Sequence, residues 1–384
     1  MIKHTRHYQL DFIKILAIIG VVFIHTAEGY TFRADYFASS PIWLLIFWGR
    51  VIATVSVPFF IMTSGYLTIG KNYPPHTLAK RIIIRLLIPF IFFFIINNWL
   101  ATYVAIHNHF TVLATPLPRL SDVLLSWFTS PGSYHFFAAL IGLNLLLPLW
   151  ERIFTPSQAK NNYSLARYLI PLFFLASISI NLHLYFNPNV SSNVLNEWHW
   201  TLWISYFLYG YWCHLHPMPP SKIKVWAFWG LVQSFLCVFL TRLGANAHPN
   251  SHFFSQLASY ALDPHAPWNI ICSLTCWRLL VHARFRCLEY PWSQSLCATL
   301  ASWTLGIYIF NNPVLNYLNN YPRLGTDNLE FWHRPALAAL GLTGLVLVLS
   351  SLLTFIFGCI PALRVLVGLE TPWVKTSNKN QDNS

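Results

Sequence analysis

The stretch LDFIKILAIIGVVFIHTAEGY, residues 10–30, is apolar enough to cross a membrane yet carries Asp11, Lys14, His25 and Glu28. Side chains of these types can pair charge and move protons: a carboxylate neutralises an ammonium, and a neutral imidazole accepts a proton near neutral pH. Asp11 and Lys14 are three apart and share a helical face. His25 lies almost three whole turns beyond Lys14, so it falls on the same stripe roughly 16 Å further along the axis. A charge facing lipid at mid-membrane costs at least about 2.5–3.5 kcal/mol, so the stripe must face protein or a water-filled cavity. Plainer readings stay open at this point. Lys14 can snorkel to the interface, Asp11 and Glu28 can sit at the helix ends, and a lone helical histidine is more often a hydrogen-bonded core residue than a catalyst.

Two further groups draw notice. Arg50 lies inside the second apolar run, at a depth comparable to His25. Lys80, Arg81 and Arg85 open the third, with Arg81 and Arg85 one helical turn apart and so on one face, where planar guanidinium groups match phosphate geometry. Lys80 reads equally well as an interfacial anchor.

These residues need elements to hold them, and the composition says which kind. The chain has 384 residues, 55% hydrophobic and 9% charged, with a mean hydropathy of +0.47. That is too apolar for a soluble domain and long enough for many spans. The net charge of +12 does not indicate nucleic acid, because the basic residues sit in short loops between apolar runs rather than on one presented face. Seven cysteines show no CxxC pair and no Cys/His ligand spacing, so neither a disulfide framework nor a metal site is expected. Cys272 and Cys276 read as small apolar helix residues.

Ten stretches reach spanning length: approximately 10–30, 41–69, 83–105, 134–151, 166–184, 198–216, 223–242, 265–283, 296–318 and 335–360. The eighth is interrupted by DPHAPW at 263–268. Basic residues concentrate on alternate connections, from Lys3 and Arg6 through Lys71, Lys80, Arg152, Lys160, Lys222, Arg284 and Arg286 to Arg364 and Lys375, whereas Asp35, Asp122, Glu197, Asp263 and Glu330 mark the others. The positive-inside rule then puts both termini in the cytoplasm. The expected architecture is an all-α polytopic membrane protein of about ten transmembrane helices, one domain over 1–364, followed by a polar cytoplasmic tail at 365–384, expected to be disordered. The first span is expected to be retained rather than cleaved, since Lys14 interrupts the apolar run and no small-x-small site follows Ile24. The connections 106–133 and 243–264 read as loops or lids, and their histidines, His107, His109, His248 and His252, show no ligand spacing. WHWTLWISYFLYGYW at 198–212 reads as an interfacial aromatic belt rather than a sugar-stacking surface, with His199 a weak candidate for contact with an acceptor.

The run from Asp11 through Lys14 to His25 resembles the first span of the acyltransferase-3 family of membrane O-acyltransferases, in which a basic residue, ten intervening residues and a histidine recur. VSVPFFIMTSGYL at 55–67 is similar to that family's second-span segment, KRIIIRLLIP from residue 80 to its paired basic residues in the third span, SYHFFAALIGLNLLLPLW at 133–150 to its fourth-span motif, and TLGIYIFNNPV at 304–314 to a late segment. The chain departs from the pattern in three places. Asn311 stands where relatives often have histidine, the usual tryptophan after His135 is missing, and Thr54 rather than arginine precedes VSVP, with Arg50 one turn earlier.

The resemblance implies an acyl-CoA-dependent O-acetyltransferase, a multi-pass protein of the cell inner (plasma) membrane that takes acetyl from cytoplasmic acetyl-CoA to a hydroxyl of a cell-surface or lipid-linked glycan, without a metal. A neutral alcohol is a poor nucleophile, so transfer needs a base, which His25 would supply, directly or through an acyl-imidazole. Glu28 would orient its ring, and Arg50 would donate to the oxyanion of the tetrahedral intermediate. Arg81 and Arg85 would meet the CoA phosphates at the inner mouth, with Lys14 further up the same route, where the pantetheine arm threads past it. Ser64 and Gly65 could allow close approach of a ligand or simply of a neighbouring helix. A secondary transporter with buried Lys, His and Arg along its route is the alternative, although no internal repeat or pair of broken helices marks one.

Overall fold

A backbone removed from water must satisfy its own N–H and C=O groups, and among single segments only the helix does so. The computed structural model describes residues 6–28, 41–95, 134–154, 163–186, 192–217, 219–247, 256–257, 260–283, 285–319 and 335–369. There the chain forms α1 (Tyr8–Thr26), α2 (Pro41–Ala53), α3 (Ser56–Thr68), α4 (Pro75–Ile82), α5 (Tyr134–Leu145), α6 (Leu147–Phe154), α7 (Tyr163–Phe186), α8 (Ser192–Leu215), α9 (Pro220–Ala247), α10 (Pro267–His282), α11 (Pro291–Asn319) and α12 (Pro335–Cys359). Among the described residues there is no strand. A helix occupies the described part of every one of the ten apolar stretches. By length and composition, four helices among the described residues can cross a membrane: Tyr8–Thr26, Pro41–Thr68, Lys224–Leu243 and Leu337–Cys359. Large apolar side chains such as Leu172, Leu175, Trp226, Phe228, Leu340 and Val348 stand on outward faces, as a lipid-facing surface requires.

The second stretch is broken into α2 and α3 at Thr54 and Val55. Pro58 explains the break, since it has no N–H to offer the Thr54 carbonyl and its ring crowds that oxygen. The hydroxyl of Thr54 turns back to the Val51 carbonyl at 2.6 Å. The third stretch is irregular in another way: α4 passes through a π turn, Ile83–Leu87, into helical residues 88–95.

α1 lies at the centre and packs against α2, α3, α10, α11 and α12. Its buried stripe is Leu10, Asp11, Ile13, Ala17, Ile18, Val21, Val22 and Thr26, the spacing of one helical face. At one end Arg6 donates to the Ala298 carbonyl of α11 at 3.0 Å. At the other, the Thr26 hydroxyl meets Thr343 of α12 at 2.7 Å. α11 and α12 are antiparallel, with Gly306 against Thr354 and Trp303 against Phe355, so α1 and α11 run in the same direction.

The closest crossing joins α3 to α8. A Cβ built on Gly65 would lie 1.9 Å from the Phe207 carbonyl oxygen, and one on Gly210 would lie 2.0 Å from that of Met62. The two backbones therefore touch, which small residues permit in membrane helices. Gly65 is used for packing.

Two segments differ from expectation. Residues 365–369 were expected to open a polar tail, but they are folded: Arg364–Val367 forms a 3₁₀ turn, Val367 is fully buried, and the Leu369 amide donates to the Arg364 carbonyl at 2.9 Å. The cause is their apolar content, Val365, Leu366, Val367 and Leu369. Residues 370–384 lie outside the described residues. The interruption at DPHAPW is a structured entry to α10. One Asp263 carboxylate oxygen accepts from the His265 amide at 2.7 Å, meets His265 Nδ1 at 2.6 Å and accepts from Asn181 of α7 at 3.2 Å; Pro267 then starts the helix, where a missing N–H costs nothing.

Candidate active site

At the start of α1 a single buried carboxylate gathers two cations. Asp11 is 5% exposed; Arg6 Nε donates to one of its oxygens at 2.6 Å, and Lys14 Nζ lies 3.6 Å from the other. The Asp11–Lys14 pairing expected from their spacing is present, with Arg6 as an added partner.

Two cavities open on either side of this cluster and share Arg6 and Lys14. One, of about 500 Å³, is walled by His7, Tyr66, Lys71, Tyr211 and His214. Its rings are in contact, Tyr66 lying edge-on to His214 at 4.6 Å between centroids. The other, of about 620 Å³, combines Arg85 and Arg364 with Arg6 and Lys14, and continues to Phe60, Phe136 and Tyr308. Phe136 and Tyr308 pack at 4.9 Å and Phe60 and Phe136 at 5.7 Å, so the cationic mouth leads to an aromatic wall. No carboxylate is among the residues lining this second cavity.

Arg81 and Arg85 are not used together. Arg85 lines the cavity, whereas Arg81 donates to the Tyr73 hydroxyl and sits over the Tyr73 ring at 5.0 Å. Tyr73, from the segment before α4, holds Arg81, while Arg85 lies within the π turn that follows α4. Lys80 is exposed and lines neither cavity. Arg6 and Arg364 were read from sequence only as loop charges. The five-residue spacing of Arg6 from Asp11 was a usable signal for the first, while nothing in the sequence placed Arg364 beside Lys14.

At the other end of α1 the remaining polar residues come together. His25 lies in the last turn of α1, which ends at Thr26. The Thr26 hydroxyl, bonded back to the Val22 carbonyl at 3.0 Å, helps close the helix there. Arg50, in the last turn of α2, is 4% exposed and close enough to act electrostatically on His25. Glu28 is 3.8 Å from Arg50 Nη2. A base, a cation and a carboxylate share one neighbourhood. Such a group can take a proton from a hydroxyl and stabilise negative charge on oxygen.

Asn311 is buried, with its Nδ2 donating to the Tyr308 carbonyl at 2.7 Å and its Oδ1 without a hydrogen bond among the described residues. Cys272 and Cys276 approach to 3.8 Å between sulfurs, and all seven cysteines are free. The side chains of His135 and His199, and residues His107, His109, His248 and His252, lie outside the described residues.

Neither the curated proteins nor the solved structures include a match to this chain. Against protein-family models, residues 7–363 match the acyltransferase domain of the acyltransferase-3 family. That span holds the Asp11–Lys14 cluster, the His25–Arg50 neighbourhood and the aromatic wall of the cavity, and it is nearly the whole chain: the protein belongs to the acyltransferase-3 family.

Proposed function

We propose that this membrane acyltransferase moves an acetyl group from cytoplasmic acetyl-CoA to a hydroxyl of a cell-surface or lipid-linked glycan. The observation that carries this reading is the cavity in which Lys14 and Arg85 stand together at the start of α1, the helix whose far end bears His25. The CoA phosphates meet the cations, and the pantetheine arm covers the roughly 16 Å of helix axis between Lys14 and His25. Both termini are cytoplasmic in this reading, with ten crossings of the inner membrane.

In the transfer, His25 takes the proton of the acceptor hydroxyl as its oxygen attacks the thioester carbonyl. Arg50 donates to the resulting oxyanion. The carbon–sulfur bond then breaks, and the imidazolium returns its proton to the departing thiolate, leaving an acetyl ester and CoA. An acyl-imidazole route uses the same groups in two steps. Glu28 holds the Arg50 guanidinium. Neither metal nor nucleic acid has a part in this scheme.

Purified protein in detergent, mixed with acetyl-CoA, should release free thiol only when a suitable glycan is added, and the glycan should gain an acetyl ester by mass spectrometry. Absence of acetyl-CoA binding by the wild-type protein would refute the donor, and retention of every acetyl ester on envelope glycans of a deletion strain would refute the acceptor.

A further inference from the structure

The segment that follows α12 is held firmly. The Leu363 and Arg364 amides both donate to the Ile360 carbonyl, at 2.9 and 3.2 Å, Leu366 donates to Leu363 at 3.0 Å, and Gly368 donates to Val365 at 3.1 Å. Val367 is fully buried. Gly368 has φ +70°, a left-handed conformation that suits glycine and lets the chain double back, so that Gly368 and Leu369 reach the wall of the 620 Å³ cavity beside Leu305 of α11. This hook delivers Arg364 into the same cavity as Lys14 and Arg85.

Among the described residues, Arg364 arrives there without a partner. Its Nε is buried and, among the described residues, receives no hydrogen-bond acceptor, and no ion pair or hydrogen bond of its guanidinium is formed with them. A buried donor left unmatched costs about 1–3 kcal/mol. Lys14 and Arg6, by contrast, already share Asp11. Among the described residues, Arg364 is therefore a cation of this cavity that lacks an anion, and its fork of donors fits a phosphate.

We infer that Arg364, carried by the hook after α12, is a phosphate ligand of the acyl donor, so that the segment 360–369 is part of the donor site and not the start of a tail. This rests on the donor reading given above.

The test compares Arg364→Gln, Arg364→Lys, Arg85→Gln and a chain ending after residue 369, using two donors: acetyl-CoA and S-acetylpantetheine, which has the thioester arm but no phosphate. Arg364→Gln should weaken acetyl-CoA binding by roughly ten- to hundredfold, the worth of one hydrogen bond to a charged group, and should leave turnover of S-acetylpantetheine unchanged. Arg364→Lys should recover part of the loss through its charge. Ending the chain after residue 369 should change neither donor. An equal loss with both donors would mean that the hook only supports the fold and would overturn the assignment. So would wild-type acetyl-CoA affinity in Arg364→Gln while Arg85→Gln is impaired, a result that leaves the donor reading standing. If the wild-type protein binds no acetyl-CoA, the donor reading fails and this assignment fails with it.

Discussion

Replacing Asp11 with Asn should make the protein less stable and its grip on acetyl-CoA tighter. The carboxylate is 5% exposed and holds Arg6 at 2.6 Å and Lys14 at 3.6 Å. At an effective dielectric of about 20, unit charges at the Lys14 distance attract by about 4–5 kcal/mol. Desolvation of the pair offsets much of that. The Arg6 side chain is half exposed, so its pair is worth the surface figure of about 0–1 kcal/mol. Together the loss should be about 2–4 kcal/mol of stability, visible as a lower temperature of aggregation in detergent. The cavity lined by Arg6, Lys14, Arg85 and Arg364 gains one net positive charge. One unit charge acting over about 10 Å at an effective dielectric of about 40 is worth about 0.8 kcal/mol, so KM for acetyl-CoA should fall about three- to fivefold at low salt. Salt should shrink the gain. The assay is thiol release at two ionic strengths, with folded protein quantified by size-exclusion chromatography. A KM that rises, or stays level at both salt concentrations in folded protein, would refute the view that Asp11 tempers a cationic donor site.

His25→Gln and His25→Ala should both lose about 10²–10⁴-fold in transfer rate while acetyl-CoA binding is retained, since the proposed phosphate site is at the other end of α1; an active His25→Gln enzyme in the thiol-release assay would remove the base from the mechanism. Arg85→Lys should raise KM for acetyl-CoA because a bidentate contact is lost, whereas Arg81→Lys should leave it near the wild-type value; equal effects would contradict the assignment of Arg85 and not Arg81 to the cavity. Gly65→Val should sharply reduce folded yield in fluorescence-detected chromatography, because even a Cβ there would lie 1.9 Å from the Phe207 carbonyl oxygen; normal yield would show that the α3–α8 crossing is looser than described. A reporter active only outside the cytoplasm, fused after residue 379, should give no signal, and a strong one would overturn the orientation or the even number of spans.

Much of the helical layout could be read from hydropathy, because membrane-depth backbone leaves the chain few choices. The pairing of Asp11 with Lys14 followed from simple periodicity and is found at 3.6 Å. Periodicity could put Arg81 and Arg85 on one face but could not give their partners: Arg81 goes to Tyr73, from the segment before α4, while Arg85 lines the cavity. Arg6 and Arg364 were hidden for another reason. A basic residue beside a span is expected on topological grounds alone, so its type gives no sign that tertiary structure has turned it into a cavity. Local reading placed Glu28 with His25, three residues away, and gave no sign that Arg50, from a different helix, would come within 3.8 Å of Glu28. The polar DPHAPW run looked like a defect in an apolar stretch; its meaning depends on Asn181, more than eighty residues earlier.

That last arrangement bears on how such a protein can change over time. Asp263 fastens the entry of α10 to α7 through Asn181, Asn269 donates to the Asp263 carbonyl at 2.8 Å, and Trp277 reaches Thr63 of α3 at 3.3 Å. The register of α10 is thus set by its own first turn and its neighbours, not by the length of the connection leading into it. Insertions, deletions or wholesale exchange of that connection upstream of Tyr260 need not propagate into the bundle. A lineage could therefore remodel this connection while the polar clusters around α1 stay as they are, which separates the evolution of the loop from that of the bundle.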